Sequence, residues 1–225
     1  MPVRVVVREA EVVDDPRRRH LLDDAERDRA DRKRRPAPFV TAHAIARELL
    51  GELTGSDPRS LRFERRCTTC GSRAHGKPSL VHEAPWRFSL SYTGDLAVAA
   101  VTRDHEIGVD IEGLDEAAFD DFDRVTLAET EGDHLAGLTG ERLLDARARV
   151  WARKEAVLKA TGHGLVVDPT EVVVSAPSDP PRLLDWLSVS DAPPEVAMAD
   201  LPLESSAHRA AVAVIGADEL LVEEG

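Results

Sequence analysis

Cysteine is scarce in this chain of 225 residues, with only Cys67 and Cys70 present. Two thiols are too few for a disulfide framework and fit a reducing compartment. Long hydrophobic runs are missing as well. Nothing approaches the roughly 20 apolar residues of a membrane span, and the opening "MPVRVVVREAEVV" alternates and is charged, unlike a secretory signal. A cytoplasmic protein off the membrane is therefore expected. Positive charge is also in deficit: 29 Lys and Arg face 42 Asp and Glu, for a net charge of −13. That balance argues against non-specific binding to nucleic acid or to an anionic membrane. An anionic ligand would have to find local cations. Neither a Walker A motif nor a Rossmann glycine fingerprint is present.

What the chain does have is enough apolar content, 42%, to bury a core in one large domain or two small ones. "VRVVVREAEVV" reads as a strand. A helix follows, then a break at Pro36 and Pro38, then a second helix ended by Gly51 or Gly55. "RFSLSYTGDLAVAAVTRDHEIGVDIEGL" reads as two or three strands with a turn at Thr93, Gly94 and Asp95. The end of the chain, "HRAAVAVIGADELLVEEG", repeats that pattern of apolar run, short turn and β-rich run, which suggests two related substructures in one chain. Between them, "LAETEGDHLAGL" and "ERLLDARARVWARKEAVLKATG" have helical periodicity, the second ending at Gly162 or Gly164.

Two stretches carry chemistry. In "GVDIE" strand alternation puts Asp110 and Glu112 on one face and Val109 and Ile111 on the other. Paired carboxylates repel, and a hard divalent cation with oxygen ligands would relieve them; the competing reading is a sheet edge entering solvent before Gly113. In "WARKEAVLKATGHGL" the positions Trp151, Lys154, Glu155, Leu158 and Lys159 fall on one helical stripe. Glu155 and Lys159 could be an ordinary i,i+4 pair. Taken with Asp110 and Glu112, however, Glu155 completes an acidic cradle, while Lys154, Lys159, Lys77 and the cluster Arg32, Lys33, Arg34 and Arg35 offer cations to a polyphosphate. That combination reads as phosphoryl chemistry.

"GVDIE" followed by "WARKEAVLKATGHGL" resembles the paired signature of the Sfp-type 4'-phosphopantetheinyl transferases. "HGKP" (His75, Gly76, Lys77, Pro78) and "FSLSYTGDLAVAAV" resemble two further blocks of that family, in the same order. The resemblance implies an α+β fold of two similar subdomains related by a pseudo-twofold, residues 1–104 and 105–225, with coenzyme A (CoA) in the cleft between them. It implies transfer of the phosphopantetheine arm of CoA to a serine of an acyl or peptidyl carrier protein by a monomeric enzyme. Asp110, Glu112 and Glu155 would hold Mg²⁺, or Mn²⁺ in its place, with Glu155 as general base and Lys159 beside it in catalysis. Lys154 and Lys159 would face the CoA phosphates. His75, Gly76, Lys77 and Pro78 would hold the adenine and its phosphates, Ser91 and Tyr92 the pyrophosphate, and Arg34, Arg35 and Thr41 the 3'-phosphate. Glu131 matches a further acidic position behind the site.

Tyr92 is a departure, since the family usually has a histidine there, and a phenol donates a hydrogen bond without bringing charge. Cys67, Cys70 and His75, with His82 as a fourth ligand, offer a competing zinc reading. A CoA-binding sensor without turnover is the alternative function, against which the retention of Asp110, Glu112, Glu155 and Lys159 speaks.

Overall fold

The computed structural model describes residues 1–66, 71–72, 76–81, 85–189 and 192–225. Cys67, Cys70, His75 and His82, and with them the zinc expectation, lie outside the described residues. Strand β1 (Val3–Glu11) precedes two short helices, α1 (Pro16–Leu21) and α2 (Asp24–Asp31), and the long α3 (Pro36–Thr54). An antiparallel pair, β2 (Phe63–Arg66) and β3 (Lys77–Leu80), leads to β4 (Trp86–Tyr92) and β5 (Leu96–Arg103). Then come β6 (Ile107–Gly113), the short α4 (Phe122–Thr126) and α5 (Gly132–Leu135), and the long α6 (Gly140–Thr161). Two 3-10 turns, Gly164–Val166 and Pro169–Glu171, lead to a second antiparallel pair, β7 (Val172–Val174) and β8 (Leu183–Trp186). The chain closes with β9 (Val196–Leu201), β10 (His208–Ile215) and β11 (Leu220–Glu224).

The two long helices start and stop where their sequence dictates. Pro36 and Pro38 do not interrupt α3; both lie in its first turn, where the amides have no partner within the helix and proline's missing N–H costs nothing. Gly55 and Gly162 end α3 and α6 at φ +72° and +76°, a left-handed conformation that glycine takes without penalty. The helix expected over residues 127–138 shrinks to Gly132–Leu135. The Glu131 carboxylate takes the amide of Ala128, and Gly137 at φ +80° breaks the continuation.

The recurring sequence pattern is a repeat of topology. In the first sheet β5 lies antiparallel between β1 and β4; in the second, β10 lies antiparallel between β6 and β9. Each half thus runs strand, long helix, short antiparallel pair, then two strands of which the last takes the middle place. β11 returns to pair in parallel with β1, so the last strand joins the sheet of the opposite half.

Strand alternation sorts the side chains into three cores. Ala97, Ala99 and Val101 pack with Val6 against Ala42, Ile45 and Leu49 of α3. Val98 and Ala100 meet Ile107, Val109 and Ile111 between the two sheets, while Ala211 and Ala213 face Ala156 and Ala160 under α6. Each fully buried Val, Leu or Ile contributes about 1.5–3 kcal/mol. With Val109 and Ile111 committed to the core between the sheets, Asp110 must point toward α6. No helix among the described residues is long and apolar enough to cross a membrane.

Candidate active site

Edge strand β4 of the first sheet meets edge strand β6 of the second beneath α6. Ser89 Oγ accepts the Val109 amide at 3.0 Å, which satisfies a backbone donor that the second sheet leaves open. Two residues on, Ser91 Oγ donates to Asp110 Oδ1 at 2.8 Å. Lys159 Nζ, from α6, donates to the same Oδ1 at 2.5 Å and to Ser91 Oγ at 2.8 Å. One triangle therefore joins both halves of the chain, and Asp110 within it is 3% exposed.

The remaining carboxylates of the cradle gather around Asp110. Burial, then the charge of Asp110, pushes the Glu112 carboxyl up to about 9. The same two causes push Glu155 up to about 7, with Lys159 pulling the other way. Asp110 Oδ2 and Glu155 Oε1 are buried without a hydrogen-bond partner, an arrangement that costs free energy unless something cationic serves them. Among the described residues no three His, Cys, Asp or Glu side chains form a ready-made metal cage, and the ammonium of Lys159 stands against Asp110. The donor set still fits a hard divalent cation: three carboxylates, two orphaned oxygens and two carboxyls that resist ionisation in its absence.

Three of the expected cations are engaged elsewhere. Lys154 corrects the single-stripe reading of α6. Successive residues diverge by about 100° around a helix, so Lys154 follows the buried Leu158 while Glu155 follows Lys159. Lys154 is fully buried and ion-paired to Glu131 at 2.5 Å. It also donates to the carbonyls of Thr126 (2.6 Å) and Pro169 (2.9 Å). That uses all three of its protons and leaves none for a phosphate. Lys77 donates to Glu106 at 2.6 Å and to the Ala160 carbonyl at 3.2 Å, at the C-terminal end of α6 where a cation is favoured. Arg35 reaches the Gly94 carbonyl at 3.3 Å, and Arg34 is exposed at the start of α3.

Thr41 is fully buried and accepts from Arg18 at 3.2 Å, so it faces α1 rather than open space. Gly76, at φ +109°, gives its carbonyl to Arg65 at 2.9 Å, and Pro78 pairs with Arg65 across β2 and β3. The Tyr92 ring packs edge-on to Phe39, centroids 6.4 Å apart, with the Lys33 ammonium 5.9 Å from it. A positive charge thus stands at Tyr92 although the residue itself brings none.

No spacing in the sequence points to the polar system under α2. Arg65 donates to His43 Nε2 at 3.3 Å; because a guanidinium only donates, His43 is neutral and carries its proton on Nδ1, which donates to Glu26 at 2.7 Å. Burial lowers the affinity of His43 for a second proton. With Arg29 and Phe63 these residues line a pocket of about 180 Å³. A larger groove, about 880 Å³, runs between β1, β11 and residues 201–205, and none of the sequence-predicted site residues lines it. Volume and chemistry part company here, and the polar geometry identifies the site better than the size of the groove does.

Comparison with known proteins finds one family model and several relatives. Residues 106–213 match the family model described as the 4'-phosphopantetheinyl transferase superfamily. A putative 4'-phosphopantetheinyl transferase, slr0495, from Synechocystis sp. is 32% identical over 152 residues, 64% of this chain and 58% of that protein. The 4'-phosphopantetheinyl transferase HetI from Nostoc sp. is 29% identical over 149 residues, 64% of this chain and 60% of that protein. The chain thus spans less than two thirds of the length of these relatives. A holo-(acyl-carrier-protein) synthase from Bacillus anthracis, crystallised with CoA, aligns at TM-score 0.41 and 27% identity over 50% of this chain and 96% of that one. The stretch that carries Asp110, Glu112, Glu155 and Lys159 is the stretch that matches the 4'-phosphopantetheinyl transferase superfamily.

Proposed function

We propose that the chain is a 4'-phosphopantetheinyl transferase of the Sfp type. It moves the phosphopantetheine arm of CoA to a serine hydroxyl of an acyl or peptidyl carrier protein and releases adenosine 3',5'-bisphosphate. The observation that carries this reading is the desolvated trio Asp110, Glu112 and Glu155, with its two orphaned oxygens, facing Lys159 and Ser91 across the junction of the halves.

In the proposed reaction the serine oxygen forms a bond to the phosphorus that carries the pantetheine arm. The bond from that phosphorus to the bridging oxygen of the pyrophosphate breaks, and the electron pair leaves with adenosine 3',5'-bisphosphate. Glu155, whose carboxyl burial and Asp110 push up in the metal-free fold, is the proposed acceptor of the serine proton. Lys159 is the cation of α6 that can turn from Asp110 to a phosphate oxygen, and Ser91 keeps it on station. Mg²⁺, or Mn²⁺, held by Asp110, Glu112 and Glu155 would neutralise charge on the phosphates. The halves are proposed to divide at residue 104, with the enzyme acting as a cytoplasmic monomer. Leu165 and Val166, exposed in the 3-10 turn that follows α6, are proposed as apolar contacts for the carrier protein.

Mass spectrometry of an apo carrier protein incubated with the chain, CoA and Mg²⁺ tests the reading. Gain of one phosphopantetheine group is expected. An unchanged mass across acyl and peptidyl carriers, with CoA binding intact, would instead favour a sensor.

A further inference from the structure

Gly108 opens the "GVDIE" motif at a place where no side chain fits. It shares a strand face with Asp110, two residues on. A Cβ at Gly108 would stand 2.0 Å from the carbonyl oxygen of Ala156, 2.4 Å from the nitrogen of Ala160 and 3.0 Å from the carbonyl carbon of Lys159. All three are backbone atoms of α6 and cannot rotate aside. The φ of Gly108 is not in the left-handed region, so space rather than conformation demands the glycine. Gly113, at the far end of the same strand, differs. A Cβ there would meet Asp115 Oδ1 at 2.7 Å and atoms of the Glu116 side chain at 3.5 and 3.6 Å, all of which can swing away.

The turn of α6 that crosses Gly108 is the turn that carries Glu155 and Lys159. Ala156 and Ala160, 0% and 2% exposed, present only methyl groups there. Because β6 and α6 touch backbone to backbone, Lys159 Nζ meets Asp110 Oδ1 at 2.5 Å. Ordinary contact for a Cβ begins at 3.4 Å, so a methyl group at residue 108 would force strand and helix apart by more than about 1 Å, a displacement that can cost a reaction about 10²-fold. We infer that Gly108 is a positioning residue: its missing side chain sets the β6–α6 spacing that holds Asp110 against Glu155 and Lys159 for transfer. The inference rests on the phosphopantetheinyl transferase reading.

The test compares the wild-type chain with Gly108→Ala, Gly113→Ala, Asp110→Glu and the double variant Gly108→Ala/Asp110→Glu. Each is measured for melting temperature, CoA affinity by calorimetry and kcat for transfer. Gly113→Ala is expected to stay within about twofold of wild type, because only flexible side chains yield to it. Gly108→Ala is expected to fold and to bind CoA within about threefold, with kcat lowered about 10²-fold. Asp110→Glu alone should lower kcat, yet in the Gly108→Ala background its extra methylene spans the widened gap and restores kcat about tenfold, a coupling that a packing defect would not show. Wild-type kcat in Gly108→Ala, failure of that variant to fold while Gly113→Ala folds, or no restoration by Asp110→Glu would each overturn the inference. A wild-type chain that transfers nothing overturns the functional reading and this inference with it, whereas an active wild type with an equally active Gly108→Ala overturns the inference alone.

Discussion

The two halves use one topology for different ends, and the contrast lies in how each treats its buried charges. α3 carries Arg47 and α6 carries Arg153, both fully buried. Arg47 donates to the carbonyls of Pro58 and Leu61 and pairs with Asp23 and Glu26. Arg153 donates to the carbonyls of Ser175, Ala176 and Asp179 and pairs with Asp200. In each half a buried arginine ties the segment that follows the long helix back onto it, with its donors saturated. The difference lies on the strand facing each helix. Where β1 gives Val6 to an apolar core, β6 gives Gly108 and Asp110, and two buried carboxylate oxygens stay without partners. Glu9 Oε2 on β1 is buried without a partner as well, but it stands alone beside the larger groove, whereas the two orphaned oxygens at β6 and α6 sit together with Lys159 and Ser91.

The distinction between saturated and unsaturated charges is broken most forcefully at Lys154. If it belongs with the saturated charges, Lys154→Met strands the buried Glu131 and should lower stability by about 3–5 kcal/mol, with part of the loss recovered on adding Glu131→Gln. Chemical denaturation reads both values. CoA affinity of the folded double variant should stay near wild type, and a selective loss of affinity would return Lys154 to the phosphate site.

Glu155→Gln acts on the unsaturated set and should behave in the opposite way. Transfer should fall by about 10²-fold or more through loss of the proton acceptor, while the metal-free melting temperature holds or rises because a repelling charge is gone. Rapid-quench kinetics with parallel melting curves check the pair of effects. Equal losses in CoA affinity and rate would leave Glu155 as a ligand-positioning group only.

A smaller effect is expected on the pH dependence of metal-free stability. Glu112 and Glu155 hold protons in the fold to about 9 and about 7, against an ordinary value of 4.5. The folded chain therefore binds more protons than the unfolded one between those limits, and stability falls as pH rises. The stabilisation is complete below about 4.5 and is lost through about 7 for Glu155 and about 9 for Glu112. Melting between pH 5 and 9 should show the decline, and Glu112→Gln should flatten its upper part. A rise in stability over that range would contradict the assignment.

Tyr92→Phe should have the smallest effect. The ring packs on Phe39 with Lys33 nearby, so loss of the hydroxyl should change CoA affinity by no more than about twofold. A loss of tenfold or more in a CoA titration would instead mean that the phenol bonds a phosphate.

Much of this architecture is legible in the sequence because periodicity is local. Alternation in "GVDIE" places Val109 and Ile111 inward and Asp110 toward the helix, and Gly55 and Gly162 end the two long helices on schedule. What the sequence hides is which of two neighbouring charges points where. Lys154 and Glu155 differ by one position, and only the loops holding Glu131, Thr126 and Pro169 decide that the lysine turns inward. Lys77 is likewise diverted by Glu106, 29 residues away. The system of Glu26, His43, Arg47 and Arg65 joins α2, α3 and β2, and no spacing rule in a single chain announces it. Gly108 was in plain view within the motif, yet its need for space emerges only once α6 lies across it.

If Asp110, Glu112 and Glu155 are carboxylates that await a cation, Mg²⁺-dependent melting shows it directly. A ligand that binds only the folded state raises its melting temperature. Mg²⁺ should raise the melting temperature of the wild-type chain and leave that of Asp110→Ala unmoved, each protein being compared with its own metal-free value because the variant also loses the Ser91 and Lys159 hydrogen bonds. Equal Mg²⁺ shifts in the two proteins, or no shift in the wild type, would contradict the account.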